Sequence, residues 1–203
     1  MAETKSPCSK QSCGKNLSFS IIDNSTLLSL IENTGLVEPF ERELVSCSGV
    51  DLRLANEYCL LKHVNRVYDT HRRNPPSLYY SKDKNSELLV NPKDKFLVCT
   101  IERLKMPRNL MGFVGLRSSY YRLGLQMPVG FIDPGFVGQL TMEIIGGAFP
   151  ILLHSGDRVF HVVFAMMKET TKNAYDGKYQ NQKGVTLPIF PEWHANRDSS
   201  MGN

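Results

Sequence analysis

The chain has 203 residues, 41% of them hydrophobic and 22% charged, with a formal net charge of +4. That length suits one domain with tails, and the mild charge without a long basic run argues against a nucleic-acid groove. No apolar stretch reaches the roughly 20 residues of a membrane span, and the amino-terminal MAETKSPCSKQSCGKN lacks the apolar core of a secretory signal, so a cytoplasmic protein is expected.

Residues 1–17 are small and polar and predict a disordered tail. Phe19 to Ile22 predicts a short strand. Asp23, Asn24 and Ser25 then supply N-cap chemistry to a helix over Thr26 to Asn33. Its apolar stripe is Leu27, Leu30 and Ile31, and Gly35 is its stop. Leu36 to Phe40 returns to extended backbone. Val50 to Leu54 predicts a strand carrying Asp51 and Arg53 in apolar company, the usual setting of a structural ion pair. From Lys62 to Asn85 the pattern dissolves into a basic, aromatic stretch broken by Pro75-Pro76. It predicts a long surface excursion, with a contact to a partner or another copy as the sharper alternative. Leu88 to Val90 and Phe96 to Glu102 predict strands on either side of the turn Asn91-Pro92-Lys93-Asp94. Of the five cysteines, Cys47, Cys59 and Cys99 are expected to be buried thiols, and Cys8 and Cys13 belong to the tail.

The most reactive side chains concentrate between Phe113 and Ile145. Arg117, Ser118 and Ser119 follow the apolar run Phe113 to Leu116, and Arg122 comes about one helical turn later. Pro128, Gly130, Pro134 and Gly135 then punctuate a tight reversal around Asp133. After Gly138 the alternation is clean: Leu140, Met142 and Ile144 point one way, and Gln139, Thr141 and Glu143 the other. A turn with an aspartate before a strand with a glutamate on its polar face can bring both carboxylates toward one cavity. Ile151 to Leu153 and Arg158 to Met167 predict two further strands, the second apolar enough for burial on both faces, with His161 as a core or interface residue. Tyr175 to Gly184 is polar and turn-rich. Its Lys178, Tyr179 and Gln182 suit a loop that closes over an anionic ligand, or else a solvated tail. Trp193 is expected to anchor the carboxyl-terminal tail. Many short strands with one clear helix predict a mainly β barrel or sandwich.

In order along the chain, SIIDNSTLLSLIENTGLVEPF, SGVDLRLANEY, RSSYYRLGL, GFIDPGFVGQLTMEI, GDRVFHVVF and GKYQNQKG resemble the motifs of the dCTP deaminase branch of the dUTPase-like superfamily. The resemblance runs roughly from Ser20 to Val185. It implies a dUTPase-like distorted β-barrel or jelly roll with a short N-terminal helix over 18–187, a surface insertion at 62–85, and a tail at 188–203. It also implies a homotrimer with active sites between subunits.

As that resemblance has it, Glu143 is the deaminase glutamate, Ser118 meets the base and the attacking water, and Arg122 orients the glutamate and the base. Asp133 would meet the deoxyribose 3'-hydroxyl. Arg117, Lys178 and Gln182 would hold the triphosphate, with Ser119, Thr141 and Tyr175 completing the substrate contacts. The substrate would be dCTP or dUTP, carrying Mg2+ on its triphosphate. A zinc deaminase needs H-x-E and P-C-x-x-C. None of His63, His71, His154, His161 or His194 begins an H-x-E, and no C-x-x-C occurs, so no zinc is expected. The pattern also departs from the family. Only seven residues, QMPVGFI, separate Leu125 from Asp133, and Thr171 stands where a tyrosine is usual. Two other functions fit the same motifs: a dUTPase-type pyrophosphatase, and a non-catalytic nucleotide-binding regulator with this fold.

Overall fold

A computed structural model describes residues 20–190. The expectations for the tail 1–17, for Phe19 and for Trp193 lie outside the described residues. The first strand, β1 (Ser20–Ile21), leads into helix α1 (Asn24–Thr34). The Asp23 side chain accepts from the backbone N–H groups of Ser25 and Thr26 at 2.9 and 3.1 Å and from both hydroxyls. Those bonds hold its carboxyl well below the usual range. Leu27 and Ile31, one turn apart, are the buried stripe. Gly35 ends the helix at φ 65°, the left-handed conformation a glycine adopts without strain. The helix is therefore the predicted one, begun two residues earlier.

Strand β2 (Val37–Glu38) precedes a single 3-10 turn at Arg42–Leu44. The next strand, β3 (Val50–Leu61), is twelve residues long and runs well past its predicted end at Leu54. The short helix α2 (Pro76–Tyr79) and strand β4 (Tyr80–Lys84) follow. The 62–85 stretch is thus not all surface excursion. Its last part pairs antiparallel with β3, from Glu57 opposite Lys84 to Leu61 opposite Tyr80. Lysines on an exposed strand hide the alternation and also discourage edge-to-edge association. The remaining elements are β5 (Glu87–Val90), β6 (Lys95–Lys105), β7 (Leu110–Leu116), α3 (Ser118–Arg122), β8 (Gly130–Ile132), β9 (Val137–Ile145), β10 (Ile151–His154) and β11 (Arg158–Met166).

Nine strands form one sheet in the order β2-β6-β3-β11-β7-β8, with β1 on β11, β4 on β3 and β9 on β6, and β5 pairs with β10 apart from it. The long β3 links the two halves: its first residues pair with β11 and its later ones with β4 and β6. The curl this produces encloses one core, in which Leu27, Leu52, Leu104, Leu110, Phe160 and Phe164 are fully buried. The fold is mainly β, as predicted.

Strand β11 is not buried on both faces. A register shift between Arg158 and Phe160 turns Val159 and Phe160 both inward, while His161, Val163 and Met166 stay half-buried. That shift explains why its apolar run reads as continuous. Cys59 and Cys99 are buried thiols as expected, but Cys47 is exposed. No helix among the described residues is long and apolar enough to cross a membrane.

Candidate active site

The polar reversal Asp133-Pro134-Gly135 delivers the chain into β9. Gly135 has φ 87°, and a Cβ there would lie 2.7 Å from the Ala174 methyl. At Gly138 a Cβ would meet the backbone of Gln182 at 3.0 Å. Both glycines let the carboxyl-terminal arm, residues 174–190, lie directly on the barrel. Along β9 the alternation is as predicted, with Leu140, Met142 and Ile144 buried and Gln139, Thr141 and Glu143 half-buried.

The arm is laid along this strand. Gln139 N donates to Gln182 O at 3.1 Å, and Gln182 Nε2 donates back to Gln139 O at 2.7 Å. Gly184 N donates to Gln139 Oε1 at 2.7 Å, and Thr186 N donates to Thr141 Oγ1 at 3.1 Å. Two strands away, on β3, Glu57 Oε1 accepts from Val185 N at 2.6 Å, and Lys82 Nζ lies 2.9 Å from the same oxygen. Burial pushes the Glu57 carboxyl up, but Lys82 and the Val185 N–H outweigh it, so the group sits below its ordinary range. A depressed carboxyl contributes fully above its unfolded value and loses that contribution as pH falls through the folded one. Hydrogen exchange at Val185 should therefore stay protected through neutral and mildly acid pH and lose protection in stronger acid, and Glu57→Gln should abolish this pH dependence.

Between arm and barrel lies a cavity of about 390 Å³. Asp133, Thr141, Tyr175 and Gln182 supply predicted polar groups to its wall, on an apolar ground that includes Phe136 and Met142. Tyr175 is fixed edge-on against Phe136 at 5.8 Å, and its hydroxyl accepts from Tyr179 N at 3.1 Å. Tyr179, expected with Lys178 and Gln182 in a loop over an anionic ligand, is also in the wall. The Lys178 ammonium lies 5.5 Å from the Tyr179 ring.

The other predicted residues stand elsewhere. Glu143 lies beyond the cavity wall on the same polar face as Thr141, with Lys95 Nζ 3.8 Å from its carboxylate. Arg117 caps α3, while Ser118, Ser119 and Arg122 lie exposed on that helix and do not line the cavity. A single chain thus presents two candidate half-sites: the β9 face with its arm, and the α3 turn.

The α3 half-site rests on Asp51, which is only 2% exposed. Its carboxylate takes Arg117 Nε at 2.9 Å, both Arg158 Nε and Nη2, and His161 Nδ1 at 2.8 Å. The expected Asp51–Arg53 pair does not form. Asp51 is taken up by those three partners, and Arg53 pairs instead with Glu41 and the fully buried Glu102. His161 lies among neither core hydrophobes nor solvent but on this buried carboxylate. The clue available in the sequence was an aspartate inside the apolar run Val50 to Leu54, though its partners lie far along the chain. Two arginines on one carboxylate leave a surplus positive charge beside α3, which suits an anion. Among the described residues no group of three His, Cys, Asp or Glu side chains gathers as a metal cage.

A family model for dCTP deaminase-like proteins matches residues 21–167. A dCTP deaminase of Acidianus ambivalens is 39% identical over 155 residues, covering 76% of this chain and 88% of that protein. One of Sulfurisphaera tokodaii is 40% identical over 154 residues, covering 76% of this chain and 83% of the relative. The crystal structure of an Agrobacterium tumefaciens 2'-deoxycytidine 5'-triphosphate deaminase superposes with a TM-score of 0.59 at 17% identity. The match covers 73% of this chain but only 47% of that longer one, and supports the fold.

Proposed function

The chain belongs to the dCTP deaminase-like family, and from that premise we propose that it hydrolyses dCTP to dUTP and ammonia without zinc, in the cytoplasm. The observation that carries this reading is Glu143, on the polar face of β9 beside Thr141 and next to the cavity that Asp133 and Gln182 help to line. Its carboxylate takes a proton from water as the oxygen attacks C4 of cytosine, and returns a proton to the departing amine. Ser118 meets the base and the water, and Arg122 orients the glutamate. Asp133 receives the 3'-hydroxyl, with Ser119, Thr141 and Tyr175 in further contact with the substrate. Arg117, Lys178 and Gln182 bind the triphosphate, Arg117 as a fork pre-set by Asp51.

The donor set fits Mg2+ delivered on the nucleotide. The cavity offers one exposed carboxylate, Asp133, which suits an ion that keeps phosphate oxygens and water as its main ligands. When bound, the ion would neutralise triphosphate charge.

The two half-sites support a homotrimer in which α3 of one copy faces β9 and the arm of another. A half-exposed apolar strip supports it too, where Phe113 packs edge-on with Phe131 at 5.7 Å beside Val163. Sedimentation should give three times the 22.9 kDa chain mass. A stable monomer at micromolar concentration would refute shared sites.

One feature favours a second reading, a dUTPase-type pyrophosphatase that releases dUMP and pyrophosphate. The hairpin between Leu125 and Asp133 has only seven residues, which trims the backbone available to recognise cytosine. Incubation with each deoxynucleoside triphosphate, dUTP included, and Mg2+ separates the two. Ammonia from dCTP establishes the deaminase. Pyrophosphate from dUTP alone establishes the alternative. No turnover leaves a nucleotide-binding regulator.

A further inference from the structure

The excursion between β3 and β4 is unused by the reading above, yet it touches the arm. Tyr68, half-buried on the excursion, packs edge-on against Tyr79 with ring centroids 4.9 Å apart. Tyr79 is pinned in turn, its hydroxyl donating to Val67 O at 2.8 Å. From that support Tyr68 reaches Phe190 of the arm at 6.2 Å. Phe190 also carries the Lys178 ammonium, 5.3 Å from its ring centre. Next to it, Ile189 N donates to the Tyr179 hydroxyl at 3.2 Å, which folds the arm's end back onto its own middle. A chain of contacts therefore runs from Tyr79 through Tyr68 and Phe190 to Lys178 and Tyr179.

The geometry points to Tyr68 as a positioning residue: the excursion is a latch that holds the end of the arm and so sets where Lys178 and Gln182 stand over the nucleotide. The assignment of those two residues to the triphosphate rests on the proposed function; the latch itself does not. Without it, the end of the arm loses its ring contact to the excursion, and the arm opens more often.

The molecule carries its own reporter of that opening. Cys59 and Cys99 are 0% and 1% exposed and form a cluster with Val185 of the arm, with Leu187 and Tyr80 packed against it. Burial pushes both thiols up, Cys99 to about 11, so neither reacts readily while covered. Cys47 is exposed and serves as an internal reference in the same molecules.

The test uses the full chain with no nucleotide, labelled with a maleimide and read peptide by peptide. Tyr68→Ala should quicken labelling of Cys59 and Cys99 by about two- to tenfold, the range an aromatic pair supports, with Cys47 unchanged. It should also raise KM for dCTP more than it lowers kcat, because the arm's contacts hold ground and transition states alike. Tyr68→Phe keeps the ring and should restore both. Unchanged labelling in Tyr68→Ala overturns the latch. So does faster labelling with an unchanged KM while Lys178→Ala still raises KM, since the latch then positions nothing. Should the wild type turn over no deoxynucleotide, the reading of the site fails, and the labelling alone decides the latch.

Discussion

Glu143→Gln is expected to lower deamination of dCTP by ~10²- to 10⁴-fold while nucleotide binding survives. Glutamine keeps the size and the hydrogen bonding of the side chain but moves no proton. The other outward residues of central β9 are Gln139 and Thr141, and both are occupied by the arm. Asp51 is committed to two arginines and a histidine. No second carboxylate on this face takes over. Asp133→Asn separates the readings. In a deaminase it weakens deoxyribose recognition and leaves proton transfer in place. In a pyrophosphatase it abolishes release of pyrophosphate. Full activity of Glu143→Gln on dCTP would sink the deaminase assignment. A loss confined to Asp133→Asn would hand the site to the alternative. Product chromatography and isothermal titration with dCTP provide both measurements.

The largest loss of stability is expected at Glu102, far from any nucleotide. This carboxylate is fully buried and accepts from Arg53 N at 2.7 Å and Arg53 Nε at 2.6 Å. The Arg53 side chain is itself only 17% exposed. Glu102→Ala leaves Arg53 Nε and the Arg53 backbone N–H without acceptors in a buried place, which costs about 3–5 kcal/mol. Against a domain stability of about 5–15 kcal/mol, that is a large fraction. Glu41 binds the same arginine at 2.6 Å but is 55% exposed, so water replaces it readily. Glu41→Ala should cost no more than about 1 kcal/mol. Urea denaturation of the two variants compares them directly. Equal midpoints would show that the buried pair is no stronger than the exposed one.

What the sequence reveals here is what is local. The α1 helix is legible because its cap, its apolar stripe and its glycine stop lie within thirteen residues of one another. The β9 face is legible because alternation alone assigns its two sides. The length of β3 is not, because Ala55, Asn56 and Glu57 interrupt the pattern and the strand is sustained by β4 and β6 on its flanks. Site residues follow the same division. Asp133, Thr141, Tyr175 and Gln182 meet at one cavity as their motifs suggest. That Arg117 leans on Asp51, and Asp51 on an arginine 107 positions away, is a product of the closed sheet and has no signature in spacing. Nor does any local pattern show that the α3 serines stand apart from that cavity.

Strand β9 has β6 on one side, and on the other it meets the chain's own terminal segment. Asn181 N donates to Val137 O, and Gln182 bridges to Gly138 in parallel. The arm is therefore also the cover of an open sheet edge, and an uncovered edge of this length invites strands from other molecules. Shortening the chain before Asn181 would strip that cover, so a truncated protein should aggregate before its loss of nucleotide affinity can be read. The same backbone bonds are equally satisfied when two molecules exchange arms. Concentrated solutions of the intact protein should accordingly contain strand-exchanged assemblies that persist on dilution.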